Sequence, residues 1–375
     1  MRGMRVRGPH TVAGRLALGV ALLAVAGVTA VATRPGPSPG GSLAPSPPAP
    51  SPSTLAQAGP WRKVLPGGRT RCARGGLFAF WARLAASDRL LVYFEGGGGC
   101  WDYRTCQPGS QLFKDRISDQ DDPTGRGAGI LDLDDRRNPF HDWSVLYVPT
   151  CTGDVDMGDA KVTYRATGGR AVTIWHRGHV NAEAALRWVF GQVPRPARVF
   201  VAGCSAGSIG SIVHAPRVIE RYPDARVAQL GDSLGYLFSR PTDLRRLWGS
   251  QRTLPGWIPG VRAIPPGGFT MPRFYDAVAA NYPAVRFSQV NFVGDAVQRA
   301  YHREAGGRPR DFGRALLGNL DAIRAGAPNF RSFLLDGSDH CTLPRGGFYS
   351  FHRGPVALRD WVAGLAAGRD VANVG

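Results

Sequence analysis

The chain has 375 residues, of which 43% are hydrophobic and 10% aromatic, and its formal net charge is +18. That length holds one large domain or at most two, with apolar content enough for a sizeable packed core. The charge does not mark a nucleic-acid binder: the positive residues are dispersed, only Lys63, Lys114 and Lys161 are lysines, and no basic run is interleaved with aromatics.

Residues 1–34 read as a signal peptide or an N-terminal membrane anchor. Arg2, Arg5, Arg7 and Arg15 precede an apolar stretch over 16–32, and Ala30-Val31-Ala32 offers small residues for cleavage. The stretch is long for a cleaved signal and short for a spanning helix. Both readings export the rest of the chain, as a secreted protein or one tethered to the outer face of the membrane. Residues 35–60, rich in Pro, Ser, Gly and Ala, read as a disordered, semi-extended linker. The folded domain is expected over 61–375. All six cysteines lie in it (Cys72, Cys100, Cys106, Cys151, Cys204 and Cys341), with no C-x-x-C zinc pattern, so disulfides in an oxidising compartment are the default.

From residue 61 strand-like and helix-like segments alternate, which predicts a mostly parallel sheet covered by helices. The strands are expected at 90–95, 144–149, 199–202, 226–230, 287–293 and 330–335. Helices are expected near 180–190, after residue 205, and near 355–367. Residues 104–142 read as loop. Residues 234–284, with many Gly, Pro and Trp, read as a cap or insertion near the site.

The chain centres on Gly203-Cys204-Ser205-Ala206-Gly207, placed between the apolar run 199–202 and a helix-compatible segment. A G-x-S-x-G pentapeptide in that setting is a nucleophile elbow. The two glycines let the backbones pass in a tight turn, and Ser205 is held strained with its hydroxyl above the sheet. The N–H of Ala206 opens the helix toward any oxyanion.

Such a serine needs a base, and the base a third group. In this topology acid and histidine follow the serine. His141, His176 and His179 come too early, and His214 reads as a surface position of the elbow helix. His340 lies in a turn-rich loop directly after an apolar strand and is the expected base. Asp295, which follows the strand ending at Val293, is the favoured acid, with Asp232 second. Asp336 and Asp339 lie too near His340 in sequence to come from a separate strand end. The glycine run 96–99 after an early strand suits an oxyanion loop; a phosphate loop would need Gly-Lys-Ser/Thr, which is absent. His176-x-x-His179 has the spacing of a metal pair but no accompanying Glu motif or third ligand. Neither metal nor cofactor is expected.

Six segments together resemble the pectin acetylesterase/Notum family of serine esterases, including its bacterial members. They are YFEGGGGCW (93–101), HRGHVNAEAAL (176–186), VAGCSAGS (201–208), GDSLGYLF (231–238), VNFVGDAVQ (290–298) and DGSDHC (336–341). The resemblance implies an α/β-hydrolase-like fold with loop-rich insertions. It also implies Ser205 as nucleophile, Asp295 as acid, His340 as base, and oxyanion donors on Gly97, Gly98 and Ala206. The family's disulfides suggest Cys100–Cys106 and Cys72–Cys151, leaving Cys204 with Cys341. One departure is visible: the family commonly has a Trp inside the glycine run, where this chain has Gly98 and Gly99 with Trp101 later, and a missing wall would either widen the acyl pocket or loosen it, which leaves the acyl-chain preference open. The expected protein is a monomeric, exported esterase acting on an acylated carbohydrate or small ester, for which an acidic polymer suits the charge. The alternatives are a fatty-acyl deacylase or an acyltransferase on the same residues, and a non-catalytic binding module on the same fold.

Overall fold

The computed structural model describes residues 59–124, 127–233, 235, 244–265 and 267–375. The expected signal or anchor, nearly all of the linker, and much of the GDSLGYLF segment lie outside these residues. Among them, no helix is long and apolar enough to cross a membrane.

Ten strands matter to the architecture: β1 (Arg62–Val64), β2 (Phe80–Arg83), β3 (Arg89–Phe94), β4 (Ser144–Val148), β5 (Ala160–Arg165), β6 (Ala171–His176), β7 (Arg198–Cys204), β8 (Arg226–Asp232), β9 (Arg286–Phe292) and β10 (Phe330–Leu335). Eight of them form one sheet in the order β1-β2-β4-β3-β7-β8-β9-β10. The run from β4 to β10 is parallel, and β2 and β1 add antiparallel strands at one edge. β5 and β6 pair separately as a hairpin. Its turn takes positive φ at Gly168 and Gly169, a conformation that favours glycine.

The parallel strands are buried on both faces, so they read as continuous apolar runs rather than as alternation. In β3, Leu90, Val92 and Phe94 face one core, and Leu91 and Tyr93 the other. The first core is filled by four helices: α1 (Gly178–Gln192), α2 (Ala206–Arg221), α3 (Met271–Asn281) and, further on, Phe312–Gly326, with Leu186, Ile209, Phe274 and Leu320 at 0% exposure. A fully buried Leu or Phe side chain is worth about 1.5–3 kcal/mol, so this face supplies most of the clamp on the sheet. The second face is covered by the terminal helix Leu358–Ala366 and by loop residues Ile130, Leu133, Phe140 and Trp143. In the segment expected as a cap, Trp248, Leu254, Ile258 and Val261 pack into the first core.

Because β3, β7, β8, β9 and β10 are parallel, their carboxyl ends emerge on one edge. The glycine run, Ser205, Asp295 and the His340 loop follow those ends and Asp232 is the last residue of β8, at the edge where open α/β sheets place their ligand crevices. Three disulfides join Cys72 to Cys151, Cys100 to Cys106 and Cys204 to Cys341. The last ties the residue before Ser205 to the residue after His340.

Candidate active site

Ser205 is the N-cap of α2 with φ 54° and ψ −122°, a left-handed backbone in a non-glycine residue. Such strain costs on the order of 1–3 kcal/mol and persists only where the surroundings enforce it. Here the enforcement is steric. A Cβ at Gly203 would collide with the Gly207 carbonyl, and one at Gly207 with the Phe94 carbonyl. The Ser205 N–H donates to the Asp232 carbonyl at 2.8 Å.

A cavity of about 620 Å³ opens at this edge. Ser205, His340, Gly96, Gly97 and Gly98 line it together with Tyr301 and the Leu112–Lys114 segment. Ala206 is not among the lining residues; it begins α2, where backbone N–H groups have no acceptor inside the helix. Asp295 stands behind His340, fully buried, with its Oδ2 2.8 Å from His340 Nδ1. An ionised carboxylate only accepts, so that ring nitrogen carries the proton and Nε2 is the free basic site. The remaining capacity of Asp295 is filled: Oδ1 caps the helix α4 (Ala296–Glu304) through Val297 N and Gln298 N, and Oδ2 also accepts from Gln298 Nε2 at 2.9 Å.

Asp232, the second candidate for the acid, has different partners. Its Oδ2 accepts from Thr342 N, Thr342 Oγ1 and Leu343 N, and its Oδ1 from Ser233 Oγ. It holds the segment after His340 by the backbone, while the imidazole is bonded to Asp295.

The glycine run is not a wide-open gap. Its strand pairs with the Leu112–Lys114 segment, Lys114 N donating to the Gly97 carbonyl and Gly99 N to that of Leu112. A Cβ at Gly98 would collide with the Leu112 carbonyl and the Tyr301 hydroxyl. Leu112 and Tyr301, which bond to each other, therefore fill the space beside Gly98. Sequence reading missed this wall, since nothing in the spacing joins residues 98, 112 and 301. It also missed Lys114, whose Nζ bridges Glu95 and Asp121 beside the cavity. Burial pushes the Glu95 carboxyl up, against the pull of Lys114.

Two histidine expectations resolve in the described residues. His214 is 1% exposed rather than on the helix surface: its ring stacks on Phe94 and His179, and Nε2 lies 2.9 Å from the Asp156 carbonyl. Both ring nitrogens of His176 are engaged, with Tyr164 Oη and the Thr152 carbonyl, which leaves no lone pair for a metal paired with His179.

Burial drives the imidazoles of His176 and His179 down to about 3, and that of His214 down as well. Unfolded histidine titrates near ~6.5, so these rings contribute stability that is complete above that pH and is lost as pH falls toward about 3. The buried Asp154 carboxyl, pushed up to about 6, acts oppositely: its contribution is complete below ~4 and fades as pH rises through about 6. The carboxyls of Glu95, Asp156, Asp232 and Asp276, raised by burial, act as Asp154 does, so urea midpoints are expected to drop as pH falls from about 4 toward 3, where these carboxyls no longer compensate. A midpoint constant from about pH 4 to about pH 3 would contradict the buried neutral rings.

A family model described as pectinacetylesterase matches residues 68–248, which takes in the glycine run and Ser205 and ends before Asp295 and His340. The palmitoleoyl-protein carboxylesterase NOTUM of Homo sapiens is 28% identical over 160 residues, 40% of this chain and 31% of that protein. Pectin acetylesterase 4 of Arabidopsis thaliana is 25% identical over 160 residues, 41% of this chain and 37% of that protein. The inactive palmitoleoyl-protein carboxylesterase notum1b of Danio rerio is 35% identical over 80 residues, 20% of this chain and 57% of that protein. The chain thus spans about a third of the length of the first two.

Proposed function

The chain belongs to the pectinacetylesterase family, and from that premise we propose that it is an exported serine carboxylic-ester hydrolase that removes a short acyl group, acetyl foremost, from a carbohydrate or related extracellular molecule. The folded domain 61–375 carries this activity as a monomer. His340 Nε2 takes the proton of Ser205 as Oγ attacks the ester carbonyl. Asp295 holds Nδ1 and stabilises the imidazolium, and the amides of Gly97, Gly98 and Ala206 receive the oxyanion, each donor worth about 10²–10³ in rate. Collapse of the tetrahedral intermediate returns the proton to the departing alcohol and leaves an acyl-serine. Water then enters by the same proton path and releases the acid.

The observation that carries the reading is the 2.8 Å His340–Asp295 bond behind a cavity that His340 shares with Ser205 and the glycine run. Export is supported by the six cysteines in three disulfides. A hydrophilic, short-acyl substrate is supported by the polar lining of Glu95, Ser110, Gln111, Lys114 and Arg345, and by the closed side at Gly98. A fatty-acyl substrate is the second reading, favoured by the apolar patch of Leu131, Val297 and Pro344 on the same cavity and by the name of the human relative.

Rates on p-nitrophenyl acetate, butyrate and octanoate separate the two. The proposal expects kcat/KM to fall with chain length. A profile rising toward octanoate would replace the short-acyl reading with the lipid one.

A further inference from the structure

Asp232 occupies a position that the proton path does not use, yet it touches both halves of the site. Its main-chain carbonyl accepts the Ser205 N–H at 2.8 Å. Its carboxylate, 0% exposed, accepts from Thr342 N at 2.6 Å, Leu343 N at 2.7 Å and Thr342 Oγ1 at 3.1 Å. Ser233 extends the grip: its hydroxyl donates to Asp232 Oδ1 at 2.8 Å and accepts from Cys341 N at 2.9 Å. Three consecutive amides after His340, those of residues 341–343, are thus held by two consecutive residues at the end of β8.

The backbone there is under strain. Ser233 has φ 58° and Cys341 φ 64°, both left-handed in non-glycine residues. Such conformations hold only when surrounding bonds over-determine them, and the hydrogen bonds to a buried carboxylate are of the strong, charge-assisted kind. The Cys204–Cys341 disulfide limits the separation of the loop and the elbow. A single covalent tether does not set the direction of the imidazole. The bonds from the amides of residues 341–343 to Asp232 and Ser233 hold the main chain that carries it.

We propose that Asp232 is a positioning residue for the ester hydrolysis described above, holding the Ser205 backbone by its carbonyl and the His340 loop by its carboxylate so that both meet at one distance. The proposal rests on the catalytic reading of Ser205 and His340. The two buried aspartates then have different roles, Asp295 acting on the imidazole and Asp232 on the main chain that carries it.

The test is kinetic, with a spectroscopic check. Asp232→Ala removes every carboxylate acceptor. A misplacement of about 1 Å costs about 10²-fold, so kcat on p-nitrophenyl acetate is expected to fall by about that factor with KM within about twofold. Asp232→Asn retains one accepting oxygen and is expected to recover activity to within about tenfold of wild type. The low-field proton resonance of the His340–Asp295 hydrogen bond should broaden or shift in both variants. If Asp232→Ala does not fold, Thr342→Val, which deletes only the hydroxyl contact, should lower kcat in the same direction with unchanged KM. Folded variants that lose thermal stability but keep wild-type kcat and an unmoved resonance would overturn the proposal and leave Asp232 a stability residue. Ser205→Ala, run alongside, keeps the two readings apart: activity surviving in it would overturn the hydrolase reading itself.

Discussion

Ser205→Ala is expected to reduce kcat for p-nitrophenyl acetate by on the order of 10⁶, to the residual supplied by binding and oxyanion donors alone. The expectation rests on the position of the serine rather than on its motif. It is held at φ 54° where the Gly203 and Gly207 backbones interlock, and it shares its cavity with His340 and the glycine run. Alanine deletes only Oγ. The left-handed backbone is already imposed by neighbours, so the fold is expected to survive, and unchanged circular dichroism and melting temperature would show the loss to be chemical. Retention of more than a few per cent of the activity would move the nucleophile elsewhere.

Asp295→Asn is the second large effect, expected at about 10⁴-fold in kcat with little change in KM. Asparagine is a good N-cap, so its carbonyl can keep the Val297 and Gln298 amides and with them the start of α4. The amide nitrogen then takes the place of Oδ2, facing two groups that both donate: Gln298 Nε2 and His340 Nδ1–H. Relief comes only by moving the histidine proton to Nε2, which removes the base. The comparison with Asp232→Asn is informative here. An active Asp295→Asn beside a dead Asp232→Asn would hand the acid role to the residue at the end of β8.

Much of the fold was legible because the parallel strands are buried on both sides and read as unbroken apolar runs. The elbow was legible for a steric reason: only glycine fits at 203 and 207, whatever lies elsewhere in the chain. Other features required knowledge of remote partners. His214 looks like a surface residue on a helix, but the fold brings Phe94, His179 and the Asp156 carbonyl around it. The β5–β6 hairpin was not among the expected strands, although Lys161, Thr163 and Arg165 alternate with less exposed neighbours and Gly168-Gly169 marks the turn. At the site, the spacing led to the strand ends and the loops that follow them. It could not say that Leu112 and Tyr301 would close the side of the glycine run, nor divide the work of two buried aspartates that both end parallel strands. That division depends on which donors each carboxylate meets, and those come from residues 298, 340, 342 and 343.

The central claim is that Ser205 is an activated nucleophile, and covalent trapping tests it most directly. The folded chain would be incubated with an alkyl fluorophosphonate, followed by intact mass and peptide mapping. The account predicts a single phosphonyl adduct on the peptide containing Ser205, formed far more slowly in His340→Ala. No adduct on the folded wild-type chain, or one on another residue, would contradict it.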